Sequence, residues 1–255
     1  MNGFARYPSL EGRVVFITGG GSGIGASMVE HFCAQGSSVA FVDIKVEESR
    51  ALAAGIEGAG GPKPLFIPCD LLDIDALRRA IAQTADELGA IGVLVNNAAE
   101  DTRHDVGEVT VEYWDGRMAV NLRHQFFAAQ AVVGQMKAAG GGSIINFGST
   151  SWMMGQGGMP GYTTAKAAVH GLTRGLARDF GPDNIRVNTI SPGWVMTERQ
   201  IEMWLDEAAE KTLGERQCLK EKLYPPDIAR MVLFLAADDG RMCTAQNFIV
   251  DAGWV

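Results

Sequence analysis

The sequence predicts an α/β fold in three layers, a doubly wound, parallel, seven-stranded sheet with helices on both faces. Three observations predict it. Strand-length apolar runs alternate with helix-patterned stretches along all 255 residues, the order that specifies parallel strands joined by helical crossovers. No linker, internal repeat or low-complexity tract divides the chain, so residues 1–255 read as one domain. A glycine-rich turn closes the first apolar run and opens the first helix, the context in which such a turn cradles a dinucleotide.

The first run is Arg13–Thr18, followed by Gly19, Gly21, Ser22, Gly23, Ile24 and Gly25, and then a helix over Ala26–Gln35. Glycine lets the backbone turn sharply and approach a pyrophosphate, whose charge rests on the helix N-terminus, as in the Rossmann arrangement. Ser38–Asp43 is the second strand, and Asp43 ends it eighteen residues after Gly25, where an acid hydrogen-bonds the adenosine ribose. A carboxylate there repels a 2′-phosphate, which points to NAD over NADP; nearby Lys45 is the one feature that softens this.

Residues 47–60 read as helix, Pro64–Cys69 as the third strand ending at Asp70 and Leu71, and Asp73–Leu88 as an amphipathic helix. Ile91–Val95 is the fourth strand, leading to Asn96, Asn97, Ala98 and Ala99. The two asparagines either tie loops together or line a cofactor cleft, the first being favoured. A long helix is expected over about Thr110–Ala138, with Asn121 inside it. Asparagine is poor in mid-helix, so a buried one needs a polar partner or a local break.

The fifth strand, in 141–149, ends at Ser149, and the helix after it carries Tyr162 and Lys166 four residues apart on one face. An ammonium beside a phenol favours the phenolate, so the pair can serve as a general base near neutral pH. Asn184–Ile190 is the sixth strand, with Ser191–Thr197 the loop at its end. Residues 198–224, broken by Gly214, read as a mobile helical flap over the substrate, closed by Pro225 and Pro226. A helix over Asp227–Ala237 and a strand over Asn247–Val250 complete the chain. Gly19, Asp43, Asp70, Asn96, Ser149 and Pro192 all fall at carboxyl ends of strands, where open parallel sheets bind ligands.

Hydrophobic residues make up 47% of the chain and charged ones 20%, enough for a large core and too apolar for wholesale disorder. A net charge of −8 with no Lys/Arg block argues against nucleic acid. Cys33, Cys69, Cys218 and Cys243 are far apart and lack His partners at metal-ligand spacing, so no metal site is expected and they read as buried thiols of a reducing compartment. Met1–Arg13 has no apolar leader and no run approaches eighteen apolar residues, so no membrane association and a cytoplasmic location are expected.

Taken together, Thr18-Gly19-x-x-x-Gly23-Ile-Gly25, Asp70, Asn96-Asn97-Ala98, Asn121, Ser149, Tyr162-x-x-x-Lys166 and Pro192-Gly193 resemble the short-chain dehydrogenase/reductase family over essentially the whole chain. One departure is Ala99, where the family usually has glycine. The resemblance implies that Tyr162 is the acid/base, Ser149 hydrogen-bonds the reacting oxygen, Lys166 binds the nicotinamide ribose, and Asn121 holds a relay water. It implies further cofactor contacts from Asp70 at the adenine end and from Val195 and Thr197 at the carboxamide. Tyr7–Leu10, Tyr113-Trp-Asp, Asn121–His124, Ile145–Ser149, Gln217–Lys220 and Asp251–Trp254 are similar to bacterial aldose 1-dehydrogenases of the D-xylose type. That similarity implies oxidation of a cyclic aldose of the D-xylose, L-arabinose, D-galactose and L-fucose class at C1 to its lactone, while helices over 110–138 and 160–181 and the ending Phe248–Val255 resemble the family's interfaces and imply a homotetramer.

A sugar site needs hydroxyl partners and an apolar wall. Candidates are Glu100, Asp101, Arg103, His104, Asn146, Ser151, Trp152, Trp194 and Gln200, with Ser151, Trp152 and Glu100 first. The rival readings are a ketone or 3-oxoacyl reductase or a polyol dehydrogenase with the same catalytic set, and a non-catalytic dinucleotide sensor. Asp43 counts against the reductase, and the presence of Tyr162, Lys166 and Ser149 against the sensor.

Overall fold

The computed structural model describes residues 4–255; the first three residues of the expected 1–255 unit lie outside the described residues. The strands are β1 (Val14–Thr18), β2 (Ser38–Asp43), β3 (Leu65–Pro68), β4 (Ile91–Asn96), β5 (Gly142–Phe147), β6 (Ile185–Pro192) and β7 (Asn247–Val250). They form one parallel sheet in the order β3-β2-β1-β4-β5-β6-β7. β1 is buried along its whole length and β4 at every position but Gly92, which is why they read as unbroken apolar runs rather than alternating ones.

Two cores flank this sheet. One packs α1 (Gly23–Ala34) and α9 (Pro225–Ala236) against the face that presents Val15, Ile17 and Val93. The other packs α3 (Ile74–Leu88), α5 (His124–Ala138) and α6 (Pro160–Phe180) against Phe16, Leu94 and Ile144. The remaining helices are α2 (Val46–Gly58), α4 (Val111–Met118), α7 (Glu198–Trp204) and α8 (Glu207–Arg216). Strand order reverses between β1 and β4, and that switch point opens a crevice at the carboxyl ends of the strands.

Three expectations need correction. The single helix over 110–138 is two helices, α4 and α5, joined by a π-helical turn at Ala119–Arg123 that contains Asn121. The side chain of Asn121 explains the break: Nδ2 donates to the Arg117 and Glu100 carbonyls, and Oδ1 accepts the Glu100 N–H at 2.9 Å. Pro225 and Pro226 do not end the flap; they begin α9, where a missing N–H costs nothing. Asp227 Oδ2 accepts the Tyr224 N–H at 2.8 Å and fixes that start. Of the four cysteines only Cys33 and Cys69 are buried, and burial pushes their thiols up to about 12 and about 11. Cys218 is exposed at the exit of α8 and Cys243 half-buried before β7, positions where a loop rather than a core element carries the residue.

A buried polar ladder crosses the sheet beside the crevice. Asn96 Nδ2 donates to Asn146 Oδ1 at 2.9 Å, Asn146 Nδ2 to Thr173 Oγ1 at 3.0 Å, and Thr189 Oγ1 to Thr173 Oγ1 at 2.8 Å. Asn146, a sequence-stretch candidate for sugar contact, is spent on this ladder and is fully buried. The ladder registers β4, β5 and β6 against α6, the helix that carries Tyr162 and Lys166.

Candidate active site

The crevice is a cavity of about 690 Å³. Its floor is formed by the ends of β5 and β6, one wall by the loop after β4, and its roof by α7 and α8. Ser149, Tyr162 and Lys166 line it together. Lys166 is almost completely buried, its Nζ donates to the Phe147 carbonyl at 2.8 Å, and it lies 5.6 Å from the Tyr162 ring centroid. Burial pulls its ammonium down to about 7. Burial also pushes the Tyr162 phenol up to about 12, while the hydrogen bond from Ser149 pulls it back and the charge of Asp101 opposes ionisation.

Gln125 and His124, on the first turn of α5, are functional neighbours that sequence reasoning missed. Gln125 Nε2 donates to the Asn121 carbonyl at 3.2 Å and to the Phe147 carbonyl at 3.4 Å, so Gln125 and Lys166 share the Phe147 carbonyl and Gln125 links it to Asn121. Buried His124 is held neutral, its imidazolium pushed down to about 3 by desolvation and then by Lys166, and Nε2 meets the Ala98 carbonyl at 3.2 Å. Their signal was a pair of polar residues just ahead of the apolar run Phe126–Ala129, three residues after Asn121.

The sugar candidates divide. Ser151, Trp194, Asp101, Arg103 and Gln200 line the cavity, and the Oγ of buried Ser151 has no hydrogen-bond partner there. Glu100 and Trp152, two of the three favoured residues, do not line it. Glu100 is paired to Arg117 at 2.8 Å, and that guanidinium holds its carboxyl below the usual range. Trp152 turns away and its Nε1 donates to His170 Nε2 at 3.3 Å. His104 likewise faces Tyr113, with Nδ1 3.0 Å from the phenol oxygen.

The chain resembles known proteins over nearly its whole length. Residues 19–255 match the family model described as enoyl-(acyl carrier protein) reductase. The chain is 49% identical to D-xylose 1-dehydrogenase of Caulobacter vibrioides, over 98% of each chain. It is 48% identical to a probable galactose dehydrogenase of Rhizobium meliloti, over 98% of this chain and 97% of that one.

The chain belongs to the short-chain dehydrogenase/reductase family. It is an oxidoreductase acting on CH–OH donors. A short-chain dehydrogenase/reductase from Serratia marcescens superposes with a TM-score of 0.89 at 35% identity, covering 96% of this chain and 99% of that one. A blue fluorescent protein from a metagenomic library, in complex with NADPH, superposes with a TM-score of 0.87 at 35% identity, covering 97% and 99%. The family binds a nicotinamide dinucleotide.

The residues present fit such a group. Gly19 and Gly23 adopt left-handed φ values of 66° and 56°, and a Cβ on Gly25 would sit 1.8 Å from the Gly19 carbonyl oxygen. The helix therefore abuts the turn, and only glycine permits it. Ser22 makes no side-chain cap and no acid stands in the first turn of α1, so the helix N-terminus is left open toward an anion. Asn97 stitches this turn to β4: Nδ2 donates to the Thr18 and Gly19 carbonyls at 3.0 and 2.8 Å, and the Asn97 and Ala98 N–H groups meet Thr18 Oγ1. Asp43 Oδ2 accepts the Gly21 N–H at 2.8 Å, which sets the carboxylate beside the turn. Ile24, Asn97, Pro192, Gly193, Val195 and Thr197 line the same cavity as Tyr162 and Lys166. Exposed Asp70 and buried Leu71 follow β3, farther along the same sheet edge; Asp70 Oδ1 accepts the Leu72 N–H.

Replacing Tyr162 by Phe removes the only phenol in the cavity and is expected to cost on the order of 10²–10⁴ in kcat while leaving dinucleotide affinity intact. Ser149→Ala is expected to lower kcat by about 10²–10³. It should also move the rising limb of the pH–rate profile to higher pH, because Ser149 lowers the phenol. A Tyr162→Phe enzyme that kept most of its turnover, or an unshifted Ser149→Ala profile, would contradict this assignment.

Proposed function

We propose that the protein is an NAD-dependent aldose 1-dehydrogenase, oxidising the anomeric hydroxyl of a cyclic aldose to the lactone. The observation that carries this reading is one cavity in which Ser149 and Tyr162 face a partly aromatic, partly polar lining with an unpartnered buried hydroxyl, Ser151 Oγ. The likeness to enzymes named for D-xylose and galactose supports the substrate class. D-xylose, L-arabinose, D-galactose and L-fucose are the expected range.

In this reading the anomeric oxygen lies between Ser149 Oγ and Tyr162 Oη, and Tyr162 takes the hydroxyl proton. Ser149 steadies the oxygen as its bond to hydrogen lengthens. Lys166 holds positive charge beside the phenol and so favours the phenolate that receives the proton. Asn121 positions that machinery by fixing the turn before α5, and Gln125 carries the link to the Phe147 peptide. A nicotinamide held beside Tyr162 and Lys166 would supply the acceptor for the hydride of C1. Gly19–Ile24, Asp43, Asp70, Leu71, Asn97, Ala98, Pro192, Gly193, Val195 and Thr197 are the residues proposed to hold the dinucleotide, with Tyr162 and Lys166 at its nicotinamide end. Residues 198–224 act as the flap over the substrate. Asp101 ties that flap down: Oδ1 pairs with Arg199 at 3.3 Å and Oδ2 accepts from Gln200 Nε2 at 2.8 Å.

NAD over NADP rests on the Asp43 carboxylate beside the Gly21 N–H, where a 2′-phosphate meets like charge. The expected assembly is a cytoplasmic homotetramer, in keeping with half-exposed Phe126 on α5 and Ile249 on β7; a monomeric mass by light scattering would refute the tetramer. Among the described residues no helix is long and apolar enough to cross a membrane.

The reading is tested by following reduced dinucleotide at 340 nm with an aldose panel and both cofactors. Strong turnover of one or two aldoses is expected, with kcat/KM for NAD at least about tenfold above NADP, a gap that Asp43→Ser narrows. Wild type inert toward every aldose, yet still binding the dinucleotide, would overturn the substrate class.

A further inference from the structure

The turn after β7, residues 251–255, is built more firmly than a trailing segment requires. Buried Asp251 accepts the Gly253 N–H through Oδ1 at 2.8 Å, and the Trp254 and Val255 N–H groups through Oδ2 at 3.0 and 2.9 Å. Ala252 is held at φ 58°, a left-handed conformation that L side chains seldom adopt and that persists only where surroundings enforce it. The loop after β6 supplies that enforcement. The Gly193 N–H donates to the Val250 carbonyl at 2.9 Å, and a Cβ on Gly193 would lie 2.6 Å from Asp251 Cβ. The carbonyls of Ala252 and Gly253 in turn accept the N–H groups of Leu219 and Cys218, so the exit of the flap is fastened to the same turn.

All this rigidity delivers one side chain to the cavity, the indole of Trp254. Its ring centroid is 6.5 Å from that of Trp194, with 55° between the planes, so the two indoles form an open corner rather than a stack. The orientation of Trp194 is fixed, because Nε1 donates to Gln200 Oε1 at 2.9 Å and Gln200 is held by Asp101. The third tryptophan in the cavity, Trp204, is covered by the Arg103 guanidinium at 4.8 Å. Trp194 and Trp254 are thus the indole faces left for a ligand.

Resting on the aldose reading above, we propose that Trp254, positioned by Asp251, is a substrate-binding residue that forms with Trp194 an aromatic corner for the C–H face of the sugar ring. A cyclic sugar presents hydroxyls at its rim and apolar C–H groups on its face, and an indole buries the latter without competing for the former. The corner orients C1 toward Tyr162 while Ser151 and the charged loop residues read the hydroxyls.

The test compares wild type with Trp254→Ala, Trp254→Leu and Trp254→Phe, using the best aldose of the panel and NADH fluorescence titration. Trp254→Ala and Trp254→Leu are expected to raise KM for the aldose by on the order of tenfold or more with little change in NADH affinity. Trp254→Phe, which restores an aromatic face, is expected to recover most of that loss. Leu preserves apolar bulk, so it keeps the test valid should the Ala variant unfold. A wild-type KM in Trp254→Leu, or NADH affinity falling by the same factor as KM, would overturn the assignment. An active wild type with an unmoved variant KM defeats only this inference, whereas a wild type inert toward all aldoses defeats the aldose reading together with it.

Discussion

A buried cation beside a buried phenol is the constraint around which this molecule is arranged. Lys166 is all but sealed from solvent, and the Phe147 carbonyl at the end of β5 supplies its one short hydrogen bond. Burial alone would discharge the ammonium and keep the phenol protonated. In the proposed reaction the two meet one helical turn apart in a low-dielectric pocket, where a cation beside the phenol favours the phenolate as the proton is taken. Holding them there requires α6 to sit in fixed register on β5 and β6, and the Asn96–Asn146–Thr173–Thr189 ladder provides that register. The same Phe147 carbonyl also meets Gln125, which grips the π-turn of Asn121. The geometry of the proposed catalytic pair and the sheet packing are therefore one network.

The fold was legible because its determinants are local. Strands buried on both faces must be apolar throughout, and the turns between them need glycine where the backbone crosses itself, as at Gly25 against Gly19. That the candidate catalytic residues share one cavity was legible for a similar reason, since Tyr162 and Lys166 are close in sequence and Ser149 lies just beyond the preceding strand. Asn121 was readable as an anomaly, an amide where a helix interior has no place for one, and the π-turn is how the chain accommodates it.

Substrate-facing residues were legible only in part. Glu100 and Trp152 sit in loops whose orientation depends on partners that no local pattern reveals, Arg117 for one and His170 for the other. Both are tied to structure instead of the cavity. Trp254 was hidden in the opposite way: it lies beyond the last strand and reaches the cavity only because the Asp251 carboxylate gathers three backbone N–H groups. The apolar wall that sequence reasoning sought from Trp152 comes from the other side of the crevice.

The central claim is that the Lys166 cation sets the ionisation of Tyr162. The direct measurement is the pH dependence of kcat at saturating aldose and dinucleotide, for wild type and Lys166→Met. A unit charge about 5.6 Å from the phenol ring, in a medium of effective dielectric about 20, predicts that its removal moves the rising limb upward by about 2 pH units. A Lys166→Met profile that is lower in height but unchanged in midpoint would contradict the account.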